Sequence, residues 1–413
     1  MAALYPRASR PLLTEALTDT RVVMLMGARQ VGKSTLARQI AREDHPAAIV
    51  NLDEQPAREA ALADPEGFVA GLPRPVLIDE VQRGGPDLFL AIKSRVDEDL
   101  SPGQFLLTGS ANVLRMRRVW EALTGRVEIV KLYPLTQAEL EGSPTNFVDL
   151  AFARDLPPVE DAPVGRDALL ERLTRGGYPE ARTREPRRRA RWFDSYIQTS
   201  LERDLEDISQ ARKLSEMPRL LRLVAAQAAG LFSAHGISQR LSIHAQTVES
   251  HVSLLEAIFL AQRLPAWTPG LGNREVRHPK IYVSDTGLLL HLLGADEKRL
   301  REDDQVTGKA LENFVAMEVV RHAATSQESP RLHHYRRGRD EIDLVLENRA
   351  GDICAMEVKA SATIRERDWR TLARLRDARS KSFRCGVLLY TGARTVPLGD
   401  RLFAVPLSGL WTG

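Results

Sequence analysis

The sequence predicts an α/β protein of several parts: a parallel sheet, then a helical region, then a small second α/β domain. Three observations predict it. Residues 22–26 (VVMLM), 76–78 (VLI) and 104–108 (QFLLT) are short apolar runs bounded by turn residues, the pattern of strands buried on both faces. Between Leu220 and Leu264 apolar residues recur three and four positions apart in three short runs, which is helical spacing. Beyond Gly308 the spacing changes to two in residues 341–346 and 353–359, on either side of the turn-forming Asn348-Arg349-Ala350-Gly351-Asp352. The parts are expected at residues 1–140, 141–215, 216–300 and 301–413, the second being a linker and helical lid.

A chain of 413 residues is too long for one core, which agrees with this division. No apolar run approaches the ~20 residues of a membrane span, and the opening residues do not form a signal peptide, so a cytoplasmic protein without a membrane partner is expected. Cys354 and Cys385 are too few for a disulfide framework or a zinc cluster. The net charge of +3 makes no field that would announce nucleic-acid binding. Only nine of the 58 basic residues are lysines, a bias that points to genome composition rather than to phosphate contacts.

The first strand runs into Gly27-Ala28-Arg29-Gln30-Val31-Gly32-Lys33-Ser34-Thr35, and residues 34–40 have helical spacing. This is G-x-x-x-x-G-K-[ST] between a strand and a helix. Backbone N–H groups can wrap a phosphate chain only where no Cβ obstructs, which Gly27 and Gly32 allow, and the helix N-terminus adds its dipole. Lys33 is expected on the β- and γ-phosphates of ATP, and the Ser34 hydroxyl on Mg²⁺.

Residues 48–52 form a second strand ending at Asp53 and Glu54, a pair read as solvated. Residues 76–80 end a third in Asp79-Glu80, the Walker B arrangement, with Asp79 holding Mg²⁺ and Glu80 orienting the attacking water. The ends of the first and third strands are expected as neighbours gripping triphosphate and metal. Thr108, Ser110 and Asn112, at the end of the next strand, are candidates to sense the γ-phosphate or to cap a helix, Ser110 being the one assigned to catalysis. Arg126 is a candidate arginine finger, in cis or from a neighbouring subunit, or a surface ion pair.

Gly27 to Thr35, Ile78-Asp79-Glu80-Val81-Gln82 and Leu107-Thr108-Gly109-Ser110 together resemble the AAA-type ATPases of the archaeal-ATPase-like branch, over residues 1–140. The resemblance implies a P-loop NTPase sheet.

Residues 141–165 are proline-rich with little periodicity, as a linker or irregular lid would be. After Gly176-Gly177-Tyr178-Pro179-Glu180 comes an arginine run from Arg182 to Arg191, a phosphate grip or a solvated helix start, and then a helix over residues 192–207. Helices from Leu220, over residues 237–241 and over 246–257, with strands over 261–267, 270–273 and 280–283, resemble a winged helix. Val248, Val252, Leu255 and Phe259 face inward and leave Gln246, Thr247, Ser250 and His251 outward. With Glu249 and Glu256 and no arginine on that helix, protein contact is favoured over DNA. Lys280-Ile281-Tyr282-Val283-Ser284-Asp285-Thr286-Gly287-Leu288, with the Gly-Gly-Tyr-Pro-Glu segment, resembles the domain of unknown function that accompanies these ATPases, over about residues 170–360.

In the last part Leu311, Phe314, Val315 and Val319 mark a buried helix face, and Glu312 lies about 20° from Val319 around the helix, so its carboxylate needs a partner. A hairpin folded about Ala350 sets Asp343 across from Glu357 and Glu341 across from Lys359 on one face, with Ile342, Leu344 and Leu346 on the other. Glu312, Asp343, Glu357 and Lys359 then converge as a divalent-metal site with a base or charge stabiliser beside it, or as a salt-bridged hairpin. The pattern resembles the PD-(D/E)xK nuclease superfamily, with Ile342 where its proline would stand. That resemblance implies Mg²⁺ on Asp343 and Glu357, with Glu312 completing the shell and Lys359 activating water. His333, His334, Tyr335, Arg336, Arg337 and Arg339 could contact a phosphodiester backbone or be solvated.

Two functions are expected. In one, ATP hydrolysis repositions the winged helix and a nuclease-like module acting on nucleic acid, DNA ahead of RNA. In the other, ATP controls docking of a protein partner or of further copies of the chain, and the C-terminal carboxylates are vestigial.

Overall fold

The computed structural model describes residues 4–109, 123–160, 164–206, 214–269 and 278–412. The first sheet has β1 (Val22–Gly27), β2 (Ala48–Asn51), β3 (Val76–Asp79), β4 (Phe105–Gly109) and β5 (Val127–Leu132), all parallel, in the order β2-β3-β4-β1-β5. β1, β3 and β4 are buried along their whole length, which is why they read as unbroken apolar runs. The helices Ser9–Asp19 and Lys33–Glu43 cover one face, where Leu13, Leu36 and Ile40 meet Val23, Leu25 and Leu106. Gly85–Glu98 covers the other, where Leu88, Phe89 and Ile92 meet Met24, Ile78 and Leu107. One expectation is corrected here: β4 lies between β1 and β3, so the two strands that carry the P-loop and Asp79 are not adjacent.

The core on the first face continues into the helical region, through Tyr178, Trp192, Phe193 and Tyr196 to Leu220, Val248, Leu255 and Val283. There the helices Pro186–Glu206, Met217–Ala226, Ala234–Leu241 and Ala245–Ala257 stand beside a small antiparallel sheet of β6 (Gly230–Leu231), β7 (Ala261–Leu264) and β8 (Lys280–Val283), ordered β6-β8-β7. The expected strand at 270–273 lies outside the described residues. His251, expected outward, is buried, and burial lowers its pKa. Arg263 on β7 pairs with Glu249 and Glu256 at 2.7 and 2.6 Å, neutralising the acidic side of the Ala245–Ala257 helix.

The last domain is a six-stranded sheet of β9 (Arg331–Arg337), β10 (Asp340–Glu347), β11 (Ile353–Lys359), β12 (Phe383–Tyr390), β13 (Val396–Gly399) and β14 (Leu402–Pro406), ordered β13-β14-β12-β11-β10-β9. The helix Glu366–Ala378 crosses over from β11 to its parallel neighbour β12, and Asp304–Ala323 packs on the opposite side with Leu311, Phe314 and Val315. The hairpin pairs Leu344 with Met356 and Glu347 with Ile353, the register expected for a fold about Ala350.

Two expectations fail locally. The ladder between β9 and β10 slips between Ile342 and Val345, so Ile342 packs beside Val345 and Trp267 while Leu344 and Leu346 face the opposite core. Such a slip adds a residue on one strand and turns the side chains before it to the other face. The proline-rich stretch expected as a linker or irregular lid holds the helix Phe147–Ala153, capped by Asn146, with Phe147, Val148, Ala151 and Phe152 sunk in the C-terminal core. Its apolar pairs sit four positions apart, a helical spacing that the surrounding prolines conceal in the sequence.

Candidate functional site

β1 ends at Gly27, and the chain turns through Gln30 (φ 59°) and Gly32 (φ 98°) into the Lys33–Glu43 helix. A Cβ on Gly27 would lie 2.1 Å from the Leu132 carbonyl oxygen, so the first glycine is required by the neighbouring strand as well as by the loop. Lys33 is buried, and its Nζ donates to the Gly27 and Ala28 carbonyls at 3.1 and 2.8 Å. The Ser34 hydroxyl donates to Asp79 Oδ1 at 2.8 Å, bridging from the helix start to the end of β3. The interposed β4 supplies the link: the Thr108 hydroxyl donates to Asp79 Oδ1 and accepts the Glu80 N–H at 3.0 Å. Arg38 pairs with Asp79 Oδ2 at 3.1 Å. Glu80 takes the left-handed conformation (φ 56°), a strained backbone for a non-glycine residue, and its carboxylate accepts from Gln82 at 2.6 Å.

Beside these groups lies a cavity of roughly 520 Å³ walled by Arg29, Gln30, Gly32, Lys33, Ser34, Thr35 and Glu80 on one side and by Pro179, Glu180 and Thr199 on the other. A smaller slot of roughly 160 Å³ adjoins it across Gly32, Thr35 and Pro179 and is walled by Tyr5, Val31, Leu36 and Leu135. A polar cradle opening onto an apolar slot has the two characters of a nucleotide, phosphates and base. A hydroxyl and a carboxylate in contact at the helix start are the donors a hard cation such as Mg²⁺ takes, so Ser34 and Asp79 fit that ion.

Ser110 and Asn112 lie outside the described residues. Arg126 precedes Val127, which pairs with Val22, whereas the P-loop follows Gly27 at the other end of β1, about 17 Å away at ~3.3 Å per residue. It is held by Asp97 on the exposed surface and does not reach the cavity of its own chain, which corrects the expectation in cis.

A buried polar junction, invisible as a motif, starts at the P-loop. Arg7 donates to the Val31 and Tyr133 carbonyls at 2.8 and 2.6 Å and to Glu139 at 3.1 Å. Glu139 also closes the capping box of the Gln137–Glu141 helix with Thr136. The next N–H, from Gln137, donates to Glu318 on the Asp304–Ala323 helix at 2.8 Å, and Arg321 NH1 donates both to Glu318 and to the Leu135 carbonyl, at 2.8 and 3.0 Å. Arg321 also donates to the Ser284 carbonyl at 2.9 Å, and the adjacent Asp285 accepts the Gly177 N–H at 2.6 Å. Burial pushes the Glu318 carboxyl up to about 7, against the opposing pull of Arg321.

In the C-terminal domain Glu312, Asp343, Glu357 and Lys359 do meet, but not around an open metal position. Lys280, on β8 of the helical region, puts its ammonium 2.8 Å from Glu312, 2.8 Å from Glu341 and 3.0 Å from Asp343. Asp343 Oδ2 accepts the Val358 N–H at 3.0 Å, and Glu341, expected opposite Lys359, turns to Lys280 instead. Lys359 pairs with Glu357 at 2.8 Å. Burial, then the charge of Asp343, raises Glu312 to about 7 and Glu357 to about 8. Among the described residues no group of three or more His, Cys, Asp or Glu is placed to hold a metal ion. His333 and His334 are buried in β9, and Arg336, Arg337 and Arg339 are exposed.

Comparison with known proteins agrees with this layout. The family described as an AAA domain matches residues 19–141, and two domains of unknown function, DUF8612 and DUF4143, match residues 166–299 and 307–410. The uncharacterised proteins Mb2031c of Mycobacterium bovis and Rv2008c of Mycobacterium tuberculosis are each 33% identical over 405 residues, covering 97% of this chain and 83% of theirs. The chain belongs to the family of these mycobacterial proteins. It is an AAA-type protein with a C-terminal DUF4143 region. Among solved structures, RuvB of Thermotoga maritima is similar at 19% identity over 62% of this chain and 88% of that one, with a TM-score of 0.29. A signal-transduction ATPase with a tetratricopeptide-repeat sensor from Pyrococcus horikoshii is similar at 14% identity over 78% and 48%, with a TM-score of 0.26. Superpositions this loose decide nothing about the chain.

In this AAA/DUF4143 chain, the contacts of three residues escape sequence reading. Thr108 is one of three hydroxyl or amide candidates, and the sequence reading prefers Ser110, whereas the bond to Asp79 is made by Thr108. Arg7 and Lys280 stand 132 and 63 positions from the carboxylates of Glu139 and Asp343, and the only hint was the unmatched carboxylate of Glu312 on a buried helix face.

Proposed function

We propose that this protein binds and hydrolyses ATP and that nucleotide occupancy sets the position of its helical and C-terminal regions. The observation that carries the reading is the 2.8 Å contact of Ser34 with Asp79 beside a cavity that Lys33, Ser34 and Glu80 line and whose far wall, Pro179, Glu180 and Thr199, comes from the helical region. In this reading Lys33 and the loop N–H groups hold the phosphates, and Ser34 and Asp79 hold Mg²⁺, which supplies charge neutralisation at the β- and γ-oxygens. Glu80, anchored by Gln82 and Thr108, orients the water. The junction from Arg7 to Arg321 is the route by which a shift of the loop reaches the last domain, since it ties the Val31 carbonyl to the Asp304–Ala323 helix. The three-helix unit with β6, β7 and β8 has the segment order of a winged helix, and we read it as a packing and protein-docking module because Arg263 covers its acidic helix. Lys33→Ala is the test: nucleotide titration should show binding lost, and hydrolysis at the parent rate would refute the assignment.

A nuclease reading draws on one observation, the gathering of Glu312, Asp343, Glu357 and Lys359. A divalent ion does not fit these residues while the Lys280 ammonium contacts Glu312 and Asp343, so no cleavage step is derived. Incubation with DNA and with RNA in Mg²⁺ or Mn²⁺, parent beside Asp343→Ala, decides it: cleavage lost in the variant would favour the nuclease, and none in either favours the regulator.

A further inference from the structure

The arginine run from Arg182 to Arg191 does not form one surface. Arg187, Arg188 and Arg191 are exposed, whereas Arg189, on the helix Pro186–Glu206, is 7% exposed. Arginine is almost never buried without a partner, yet among the described residues this guanidinium has no ion pair and no side-chain hydrogen bond. Burial pushes its pKa below the usual arginine range and the charge of Arg175 adds to that, while Glu297, Glu171 and Glu185 act the other way. Its nitrogens are not among the polar atoms sealed away from water, so the guanidinium opens on the cavity that the residue lines. That cavity, of roughly 360 Å³, lies between the same helix and the helices Arg166–Arg175, Thr286–Leu292 and Glu297–Glu302. Phe193, Leu290 and Ala295 give it an apolar wall. Its other polar groups are mostly taken. His291 stacks its ring on Phe193 at 5.5 Å and sets Nε2 2.9 Å from Asp194, and Asp296 accepts the Arg299 N–H at 2.9 Å. Glu297 differs: among the described residues its carboxylate has no ion pair and accepts one long bond, from the Thr174 hydroxyl at 3.4 Å. A guanidinium and a carboxylate thus share one small cavity without reaching each other.

We infer that this cavity binds a small apolar α-amino acid, its carboxylate on Arg189, its ammonium on Glu297 and its side chain against Phe193, Leu290 and Ala295. The planar guanidinium takes a carboxylate through two parallel bonds. A carboxylate with a single long hydrogen bond keeps accepting capacity for an ammonium. A zwitterion supplies the partner that each group lacks and adds no net charge beside an apolar wall. Phosphate would instead bring excess negative charge next to Glu297, with one buried cation to meet it. The volume lies at the lower end of the ~300–1,000 Å³ of small-molecule sites, which suits a ligand of this size. The inference is independent of the nucleotide site.

The test uses the full chain without nucleotide. L-leucine, L-isoleucine, L-valine, L-methionine and L-phenylalanine are titrated calorimetrically, each beside the carboxylic acid that lacks its amino group, and inorganic phosphate is titrated in parallel. At least one amino acid should bind at one equivalent, and its analogue without the amino group about 10-fold or more weakly. Arg189→Met should weaken binding about 10–100-fold and should melt no lower than the parent, since a desolvated charge without a partner costs stability. Ala190→Leu leaves both charges in place and fills part of the cavity, so it should abolish binding, and it decides the matter if Arg189→Met does not fold. Glu297→Gln should close the gap between the amino acid and its analogue. Binding of none of the five amino acids, or binding that survives in folded Arg189→Met or Ala190→Leu, would overturn the proposal. So would a gap unchanged in Glu297→Gln, or phosphate held more tightly than every amino acid.

Discussion

Replacing Arg7 by alanine tests the junction between the nucleotide loop and the rest of the chain. The guanidinium is 8% exposed and makes three bonds, to the Val31 carbonyl at 2.8 Å, the Tyr133 carbonyl at 2.6 Å and Glu139 at 3.1 Å. Truncating one partner of a buried ion pair costs about 3–5 kcal/mol, because the other charge stays buried. Glu139 keeps the N–H groups of Ala8 and Thr136, which places the loss toward the lower end. Unfolding entropy near ~2.1 cal/mol/K per residue gives about 0.9 kcal/mol/K for 413 residues, so the melting temperature should fall by about 3–5 °C. The Val31 carbonyl also loses its charged donor, a bond worth about 1.5 kcal/mol, and ATP affinity should weaken roughly tenfold if loop geometry depends on it. Arg7→Lys keeps the charge without the planar fork and should fall between. Differential scanning calorimetry and titration with a fluorescent ATP analogue read both quantities. If Arg7→Ala melts within about 1 °C of the parent and binds ATP equally well, the junction does not support the loop.

Glu80→Gln should lower turnover by about 10²–10⁴-fold with ATP affinity unchanged, measured by phosphate release and titration; turnover within twofold of the parent removes Glu80 from catalysis. Gly27→Ala sets a Cβ 2.1 Å from the Leu132 carbonyl and should cost about 1–3 kcal/mol or more, whereas Gly71→Ala, with nothing within 4 Å of its Cβ position, should leave the melting curve unchanged. Glu318, raised to about 7 from an ordinary 4.5, keeps its proton in the fold at pH values where the unfolded chain has lost it. Its contribution is therefore complete below pH 4.5 and is lost as pH rises through about 7, by roughly 3 kcal/mol in all. Glu318→Gln should flatten that part of the stability profile, and parallel profiles for parent and variant would refute the assignment.

What the sequence made legible was local. The phosphate loop lies within nine consecutive residues, and the β10–β11 register follows from where Asn348 to Asp352 allow the chain to turn. What stayed hidden depended on residues far apart in the chain or on a single irregularity. Period two places Ile342 with Leu344, but the slip before Val345 moves it to the other core. Strand order is not written in apolar runs, so β4 could not be seen to enter between β1 and β3, nor Thr108 to become the link to Asp79. The helix Phe147–Ala153 is short, and it is buried in a core built largely from the distant C-terminal strands and helix. Lys280 read as one more polar residue at a strand start, since its three partners come from other elements.

The core shared between the first sheet and the helical region has a practical consequence. A fragment ending near residue 140 would leave Leu13, Leu36 and Leu132 on a side normally covered in part by Tyr178 and Phe193, and would tend to self-associate. A fragment beginning near residue 301 would lack Phe147, Leu170 and Leu173, along with Lys280. Biochemistry on excised pieces would thus report on damaged surfaces, and the unit to purify, mutate and assay is the uncut polypeptide.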